Sequence, residues 1–153
     1  MRNKTPYVLT SKTIGKAANE CAMLIKEYSK ENPISTDALV ENTNFTKGQI
    51  STIIKYMRRC SENDLERYIK WYPISSKKGY YFPKSFEEFA PCYATLEKWC
   101  ASLHRTIEPM RRKMQQEGIN WKDYLPEEDS EIVDNYLDEM EEMTKDRAWF
   151  YDE

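Results

Sequence analysis

The stretch from Ile34 to Lys84 limits the fold more than any other part of this 153-residue chain. Its centre is Thr46-Lys47-Gly48-Gln49. A threonine three residues ahead of a glutamine forms a capping box, in which the hydroxyl takes the Gln49 amide and the Gln49 side chain reaches back. After the cap, Ile50, Ile53, Ile54 and Met57 recur at helical spacing and make one apolar face. Ser51, Thr52, Lys55, Arg58 and Arg59 point elsewhere. A shorter helix precedes it, starting near Ser35 or Thr36 with Ala38, Leu39 and Val40 inward. Asn44 ends that helix, and Phe45 plugs the gap between the two. Downstream, Tyr68, Ile69, Trp71, Tyr72 and Ile74 favour strand, as do Tyr80, Tyr81 and Phe82. Between them Ser75-Ser76-Lys77-Lys78-Gly79 supplies a turn, with Gly79 free to take positive φ. Pro83 stops the second strand, and Pro73 restricts the hairpin to an exposed position.

Helix, turn, helix and hairpin is the layout of a winged helix-turn-helix domain. Thr46-Lys47-Gly48-Gln49-Ile50-Ser51, then Tyr72-Pro73-Ile74, then Lys78-Gly79-Tyr80-Tyr81-Phe82-Pro83 resemble the winged-helix domain of the biotin-repressor type. They are similar also to small regulators of that type from bacteria and their phages. The resemblance covers the first half of the chain. It implies that the helix after the turn enters the DNA major groove and that the Lys-Gly-Tyr-x-x-Pro segment forms the second wing strand. Ser61 to Lys70 departs from the pattern, being longer and more charged than the usual link. It either extends the second helix or forms a short helix of its own after Ser61-x-x-Asp64. No biotin-handling domain follows, so the resemblance implies no enzymatic activity.

A reader of this kind assigns roles to its polar face. Lys47, Gln49, Ser51, Thr52 and Lys55 are expected at the major groove, where Gln suits adenine edges and Lys suits guanine edges or phosphate. Arg58, Arg59, Lys77 and Lys78 are expected on phosphate. The net charge of −3 looks wrong for such a protein, but its distribution is uneven. Residues 127–153 carry twelve acids and two bases, a net of −10, whereas residues 1–126 carry fourteen acids and twenty-one bases, a net of +7. The reader is basic and the acidity sits in the tail.

Around this unit the chain is helical. Tyr7-Val8-Leu9 is a candidate short strand that would pair with the hairpin. A first helix is expected from about Thr13 to Glu31, with Ile14, Ala17, Cys21, Leu24, Ile25 and Tyr28 on one face and Asn32-Pro33 as its stop. After Lys84, Ser85 and Glu88 make a second capping box. Tyr93, Leu96, Cys100, Leu103, Ile107, Met110 and Met114 then follow at spacings of three and four, the seam of a coiled coil. Leu96, Cys100, Leu103, Ile107, Met110 and Met114 are the candidate dimerisation residues. The stripe must pack on the tail helix, on the N-terminal unit or on a second copy. Pro91 kinks or restarts this helix, and a bend is expected at Pro109. Arg111-Arg112-Lys113 either touch phosphate or form a solvated face. Gly118 is a C-cap, and Trp121, Tyr124 and Leu125 can anchor a linker. The last helix runs from Pro126 or Glu127 to Arg147, with Lys145 and Arg147 suiting its own C-terminus. Trp149-Phe150-Tyr151 is too apolar for a free tail and is expected to dock.

The expected fold class is mainly α with a small β-hairpin wing. Its parts are a winged helix-turn-helix domain over 1–84, a long heptad-patterned helix over 85–118, and a linker with an acidic C-terminal helix over 119–153. The expected function is sequence-specific binding of double-stranded DNA by a homodimeric regulator of prophage or mobile-element type. The alternative is a small phage-type inhibitor, anti-CRISPR-like or DNA-mimicking, whose acidic C-terminal helix binds a protein partner, a nucleic-acid enzyme. An enzyme is not expected: the chain has no phosphate-binding glycine loop and no nucleophile with a base. Cys21, Cys60, Cys92, Cys100 and the single His104 lack the spacing of a metal site, so no metal or cofactor is expected. No run is long enough to span a membrane, and MRNKTPYVLTSK lacks a signal-peptide core, which makes a cytoplasmic location the expectation.

Overall fold

The computed structural model describes residues 7–143, Arg147 and Trp149. The chain is mainly helical. In order come α1 (Ile14–Ile25), α2 (Thr36–Glu41), α3 (Lys47–Arg59), α4 (Leu65–Lys70), β1 (Ile74–Ser76), β2 (Gly79–Tyr81) and α5 (Phe86–Glu117). A 3-10 turn over Trp121–Tyr124 and α6 (Glu127–Met143) follow. Two compact units result, one from Met1–Phe89 with Glu139–Glu153, the other from Ala90–Asp138. The end of the chain belongs with the first unit, where Arg147 and Trp149 are buried.

The core of the first unit lies between α1 and α3. Ile14, Ala17, Ala18, Cys21, Ala22 and Ile25 meet Ile50, Ile53, Ile54 and Met57, all at most 2 % exposed. The α3 capping box forms as its sequence predicts: the Gln49 amide donates to Thr46 Oγ1 at 3.2 Å and the Thr46 amide to Gln49 Oε1 at 3.0 Å. Ser35 caps α2 by accepting from the Ala38 amide at 3.1 Å. The turn into α3 begins earlier than Asn44. Asn42 is the C-cap of α2, and its side-chain amide donates to the Ala38 carbonyl at 2.8 Å. Thr43 is buried and donates its hydroxyl to the Leu39 carbonyl at 2.6 Å. Phe45 fills the space between α2 and α3 and meets the Tyr7 ring edge-on at 5.0 Å.

Four expectations are corrected. First, α1 ends at Ile25 and not at Glu31: the amides of Glu27 and Tyr28 turn back to Leu24 and Ile25, and Ser29 and Asn32 bond each other's backbone. Second, Tyr7-Val8-Leu9 forms no strand. The hairpin takes its third partner from Ile34, which exchanges two backbone bonds with Tyr80 at 2.8 and 2.9 Å. Third, Tyr68 and Ile69 are helical and Trp71 ends their helix. Asp64 caps this short α4 by accepting from the amides of Glu66 and Arg67, which gives Ser61–Lys70 a helix of its own. The hairpin is correspondingly short, pairing Ile74 with Tyr81 and Ser76 with Gly79 around Lys77-Lys78. Fourth, Arg147 does not serve the end of α6; it lies at the end of α3.

That end is closed by side chains. The last carbonyls of a helix have no partner within it and must find one elsewhere when buried. Tyr68 donates its hydroxyl to the Arg58 carbonyl at 2.6 Å. Arg147 donates to the carbonyls of Met57, Cys60 and Tyr68 at 3.2, 3.3 and 2.9 Å, and its guanidinium stacks over the Tyr68 ring at 4.5 Å. Trp149 enters the same core, as expected of the apolar tail, and lies against Gly15, where an added Cβ would stand 3.2 Å from its own. Lys145, Phe150 and Tyr151 lie outside the described residues.

α5 begins in the first unit and runs unbroken through Pro91 and Pro109 to Glu117. Its N-terminus uses Ser85, which accepts from the Glu88 amide, while the Glu88 carboxylate accepts from Lys84. Gly118 closes it at φ +68°, with the Ile119 amide bonding the Met114 carbonyl at 2.8 Å, a Schellman cap. Most of the stripe is uncovered, with Leu96 43 % exposed, Leu103 62 % and Met110 59 %, while Met114 is half-buried. Ile132, Val133, Tyr136 and Leu137 of α6 are also exposed. So are Trp121 and Tyr124, which therefore do not anchor the linker. No described helix is long and apolar enough to cross a membrane.

Candidate functional site

The basic residues picked out by sequence divide into two groups. On α3, Lys47, Ser51, Lys55 and Arg59 stand one turn apart on the same row, and Thr52 stands beside it. All five are exposed, on the side away from Ile50, Ile53, Ile54 and Met57. The Thr52 hydroxyl donates to the Gly48 carbonyl at 3.2 Å, leaving its methyl and the oxygen lone pairs outward. This face has the length of about three helical turns.

Lys77 and Lys78 form the tip of the hairpin. The fold brings them beside Lys47, across a polar pocket of about 280 Å³. Ser35, Thr36, Ser75 and Ser76 supply hydroxyls to the same pocket, and Asp37 is its one carboxylate. With three lysines and one carboxylate among its described lining residues, the pocket has a net positive lining, which favours an anion. Lys47 thus belongs with the hairpin lysines as well as with the α3 row. Sequence spacing could not show this, since thirty residues separate them.

Gln49 and Arg58 take other places. Gln49 is half-buried; besides closing the capping box it donates its side-chain amide to the Tyr7 carbonyl. It ties the chain ahead of α1 to the start of α3 and does not face outward for a base edge. Arg58 donates Nε to the Pro73 carbonyl at 2.9 Å and Nη2 to Ser75 Oγ at 2.8 Å, with its guanidinium 5.7 Å from the Tyr72 ring centre. It fixes the hairpin to α3. Both corrections share a cause: a long polar side chain beside a neighbouring element finds a backbone carbonyl before it finds solvent. Arg58→Ala is expected to destabilise the protein by about 1.5 kcal/mol and to loosen the hairpin. Thermal melting and amide exchange at Ser75 to Tyr81 check it; an unchanged exchange pattern would show that Arg58 does not hold the hairpin.

Other polar candidates belong to other elements. Burial pushes the Cys21 thiol up to about 12, so it behaves as a small apolar residue. His104 is on α5, 3.9 Å from Glu108. A larger groove of about 730 Å³ runs past Tyr28, Ile69, Trp71, Phe82 and Phe86 and shares no lining residue with the polar pocket. Comparison with protein-family models, with curated proteins and with solved structures finds no match for this chain.

Proposed function

We propose that the first unit is a winged helix-turn-helix domain that binds double-stranded DNA, and that the chain is a homodimeric, sequence-specific regulator of the prophage or mobile-element type. In this reading α3 enters the major groove, presenting Lys47, Ser51, Thr52 and Lys55 to base edges, and β1–β2 is the wing. The observation that carries it is the convergence of Lys47, Lys77 and Lys78 on one polar pocket beside an exposed basic helix face. A phosphate held there would set the register of α3 in the groove. Arg59 adds a further phosphate contact, while Gln49 and Arg58 brace the reader from within.

Lys47→Glu combined with Lys55→Glu is expected to abolish specific binding at an unchanged melting temperature. Lys77→Ala with Lys78→Ala is expected to weaken binding to every duplex alike. It should also flatten the slope of log K against log salt by about two units. Titration of labelled duplexes at several salt concentrations measures both. Full binding by the α3 double variant would remove the groove assignment.

One observation favours a second reading, in which α6 binds a nucleic-acid enzyme as a DNA mimic. The described acidic side chains of α6 are exposed along a helix that also exposes Ile132, Tyr136 and Leu137. Truncating the chain before α6 is a poor test, because it removes Arg147 and Trp149 from the core of the first unit. Replacing the α6 acids by Asn and Gln leaves that core in place. Tighter DNA binding by this variant would mean that α6 masks the basic face; unchanged DNA binding together with loss of a protein partner would support the inhibitor.

A further inference from the structure

We infer that the α5 seam is covered by α5 of a second copy running antiparallel, with the two-fold axis near Arg105. The inference refines the homodimer of the proposed function and does not depend on DNA contact. The stripe is exposed on α5 from Leu96 to Met110 and half-buried at Met114, and Pro91 and Pro109 both fall outside its a and d positions. An apolar stripe of this length left in water would be unusual for a monomer.

Charge decides the direction of the second copy. With Cys100, Ile107 and Met114 at a and Leu96, Leu103 and Met110 at d, the flanking e positions are Glu97, His104 and Arg111. The g positions are Cys92, Trp99, Thr106 and Lys113. A parallel pair sets each g residue near the e residue five places on. That combines Cys92 with Glu97, Trp99 with His104 and Thr106 with Arg111, and no acid meets a base. It also stacks Cys100 on its own copy. An antiparallel pair sets e against e and g against g. Centred near Arg105, it opposes Leu96 to Met114, Cys100 to Met110 and Leu103 to Ile107, each twice, so that every layer is apolar. Glu97 then meets Arg111 of the second copy at both ends, and Lys113 reaches the face of Trp99, which is 61 % exposed in the single chain. A shift by one heptad puts His104 in place of Arg111 opposite Glu97, removes Met114 from the seam and leaves Lys113 beside Cys92. Tyr93, outside the centred seam, already donates its hydroxyl to Glu97 of its own helix at 2.6 Å.

Disulfide trapping tests the register. Two Cys100 residues in the antiparallel pair are ten residues apart along the axis, about 15 Å, too far for a disulfide, which requires Cα atoms within about 7 Å. The background is full-length Cys92→Ser, in which Cys100 is the exposed thiol while Cys21 and Cys60 stay buried. Under mild oxidation without DNA this protein is expected to remain uncross-linked. Adding Met110→Cys is expected to give a covalent dimer that disappears when Cys100→Ser is added as well. Cross-linking through Cys100 alone, or a Met110→Cys dimer that survives Cys100→Ser, would mean a parallel pair; the homodimer would stand and this inference would fall. Cross-linking by Leu103→Cys in place of Met110→Cys would overturn the centring. A monomer by light scattering at every concentration would overturn the inference and the homodimer together, with DNA binding judged separately. As a check independent of thiols, Glu97→Arg and Arg111→Glu should each weaken dimerisation about tenfold, and the two together should restore it. Failure of the double variant to recover would exclude the antiparallel pairing.

Discussion

Gly79→Ala is expected to cost about 3 kcal/mol or more, one of the largest losses available to a single methyl group in this chain. Gly79 sits at φ +148°, a conformation that L side chains rarely adopt, and a Cβ there would stand 2.0 Å from the Ile34 carbonyl oxygen. The obstacle is backbone, not the end of a flexible side chain, so it cannot swing away. Relief requires Ile34 to leave Tyr80, which breaks both bonds of that bridge and uncovers Ile34, a core residue at 1 % exposure. The melting temperature should fall by roughly 15 °C, and the amides of Ile34 and Tyr80 should lose exchange protection first. Two other glycines calibrate the effect. Gly118→Ala, at φ +68° with nothing within 4 Å, should cost about 1 kcal/mol from backbone strain alone. Gly48→Ala, inside α3, should be neutral or stabilising by up to about 1 kcal/mol. If Gly79→Ala melts like Gly118→Ala, the approach of Ile34 to the hairpin is not as described. Because Lys77 and Lys78 are carried by this hairpin, the variant should also lose the pocket they share with Lys47.

Arg147→Met is expected to destabilise the protein by about 3 kcal/mol, even though methionine fills much of the same space. The loss comes from the carbonyls of Met57 and Cys60, which Arg147 satisfies within the core, and from the stacking on Tyr68. Arg147→Lys should recover little, because an ammonium can neither fork between carbonyls on α3 and α4 nor lie flat on a ring. Burial is the main influence on the Arg147 guanidinium and pulls its pKa down; Tyr68, Cys60 and Glu62 act in the opposite sense. Lowering a cation's folded pKa below its unfolded value opposes folding in full at pH below the folded pKa, and the penalty fades as pH rises from there to the unfolded pKa. Guanidinium titrates far above neutrality, so the stability lost in Arg147→Met should be the same from about pH 6 to pH 9. Denaturant melts across that range measure it. A loss confined to one end of the range would point to a titrating neighbour and not to the arginine–carbonyl bonds.

These two residues show how differently parts of the fold were written in the sequence. Gly79 was recognisable as a turn glycine because Lys77-Lys78-Gly79 lies between β-favouring runs, yet the sequence held no sign of the carbonyl that makes it obligatory. Arg147 carried the opposite signal. Near the end of an acidic helix it suited that helix's own C-terminus, and its place at the end of α3 could not be read. Arg58 and Gln49 are alike in this: their spacing suits an outward polar face, while the carbonyls they bond belong to other segments. Tyr68 and Ile69 have the composition of strand residues, but Asp64 caps a helix there, and a cap followed by helical pairing outweighs intrinsic strand preference.

Sequence alone determined what depends on spacing within one element: the Thr46/Gln49 box, the α3 apolar row, the basic turn, the apolar stripe of α5 and the Gly118 stop. Each is a relation among residues less than two heptads apart, or a repeat of one. Tertiary structure decided which polar side chains face solvent and which close the interior. Lys47 joined Lys77 and Lys78, whereas Gln49, Arg58 and Arg147 turned to the carbonyls of Tyr7, Pro73, Met57 and Cys60. The physical reason is the acceptor. Every residue carries the same backbone carbonyl, so a bond to one leaves no mark in the identity of its partner, and only the folded chain shows where it is made.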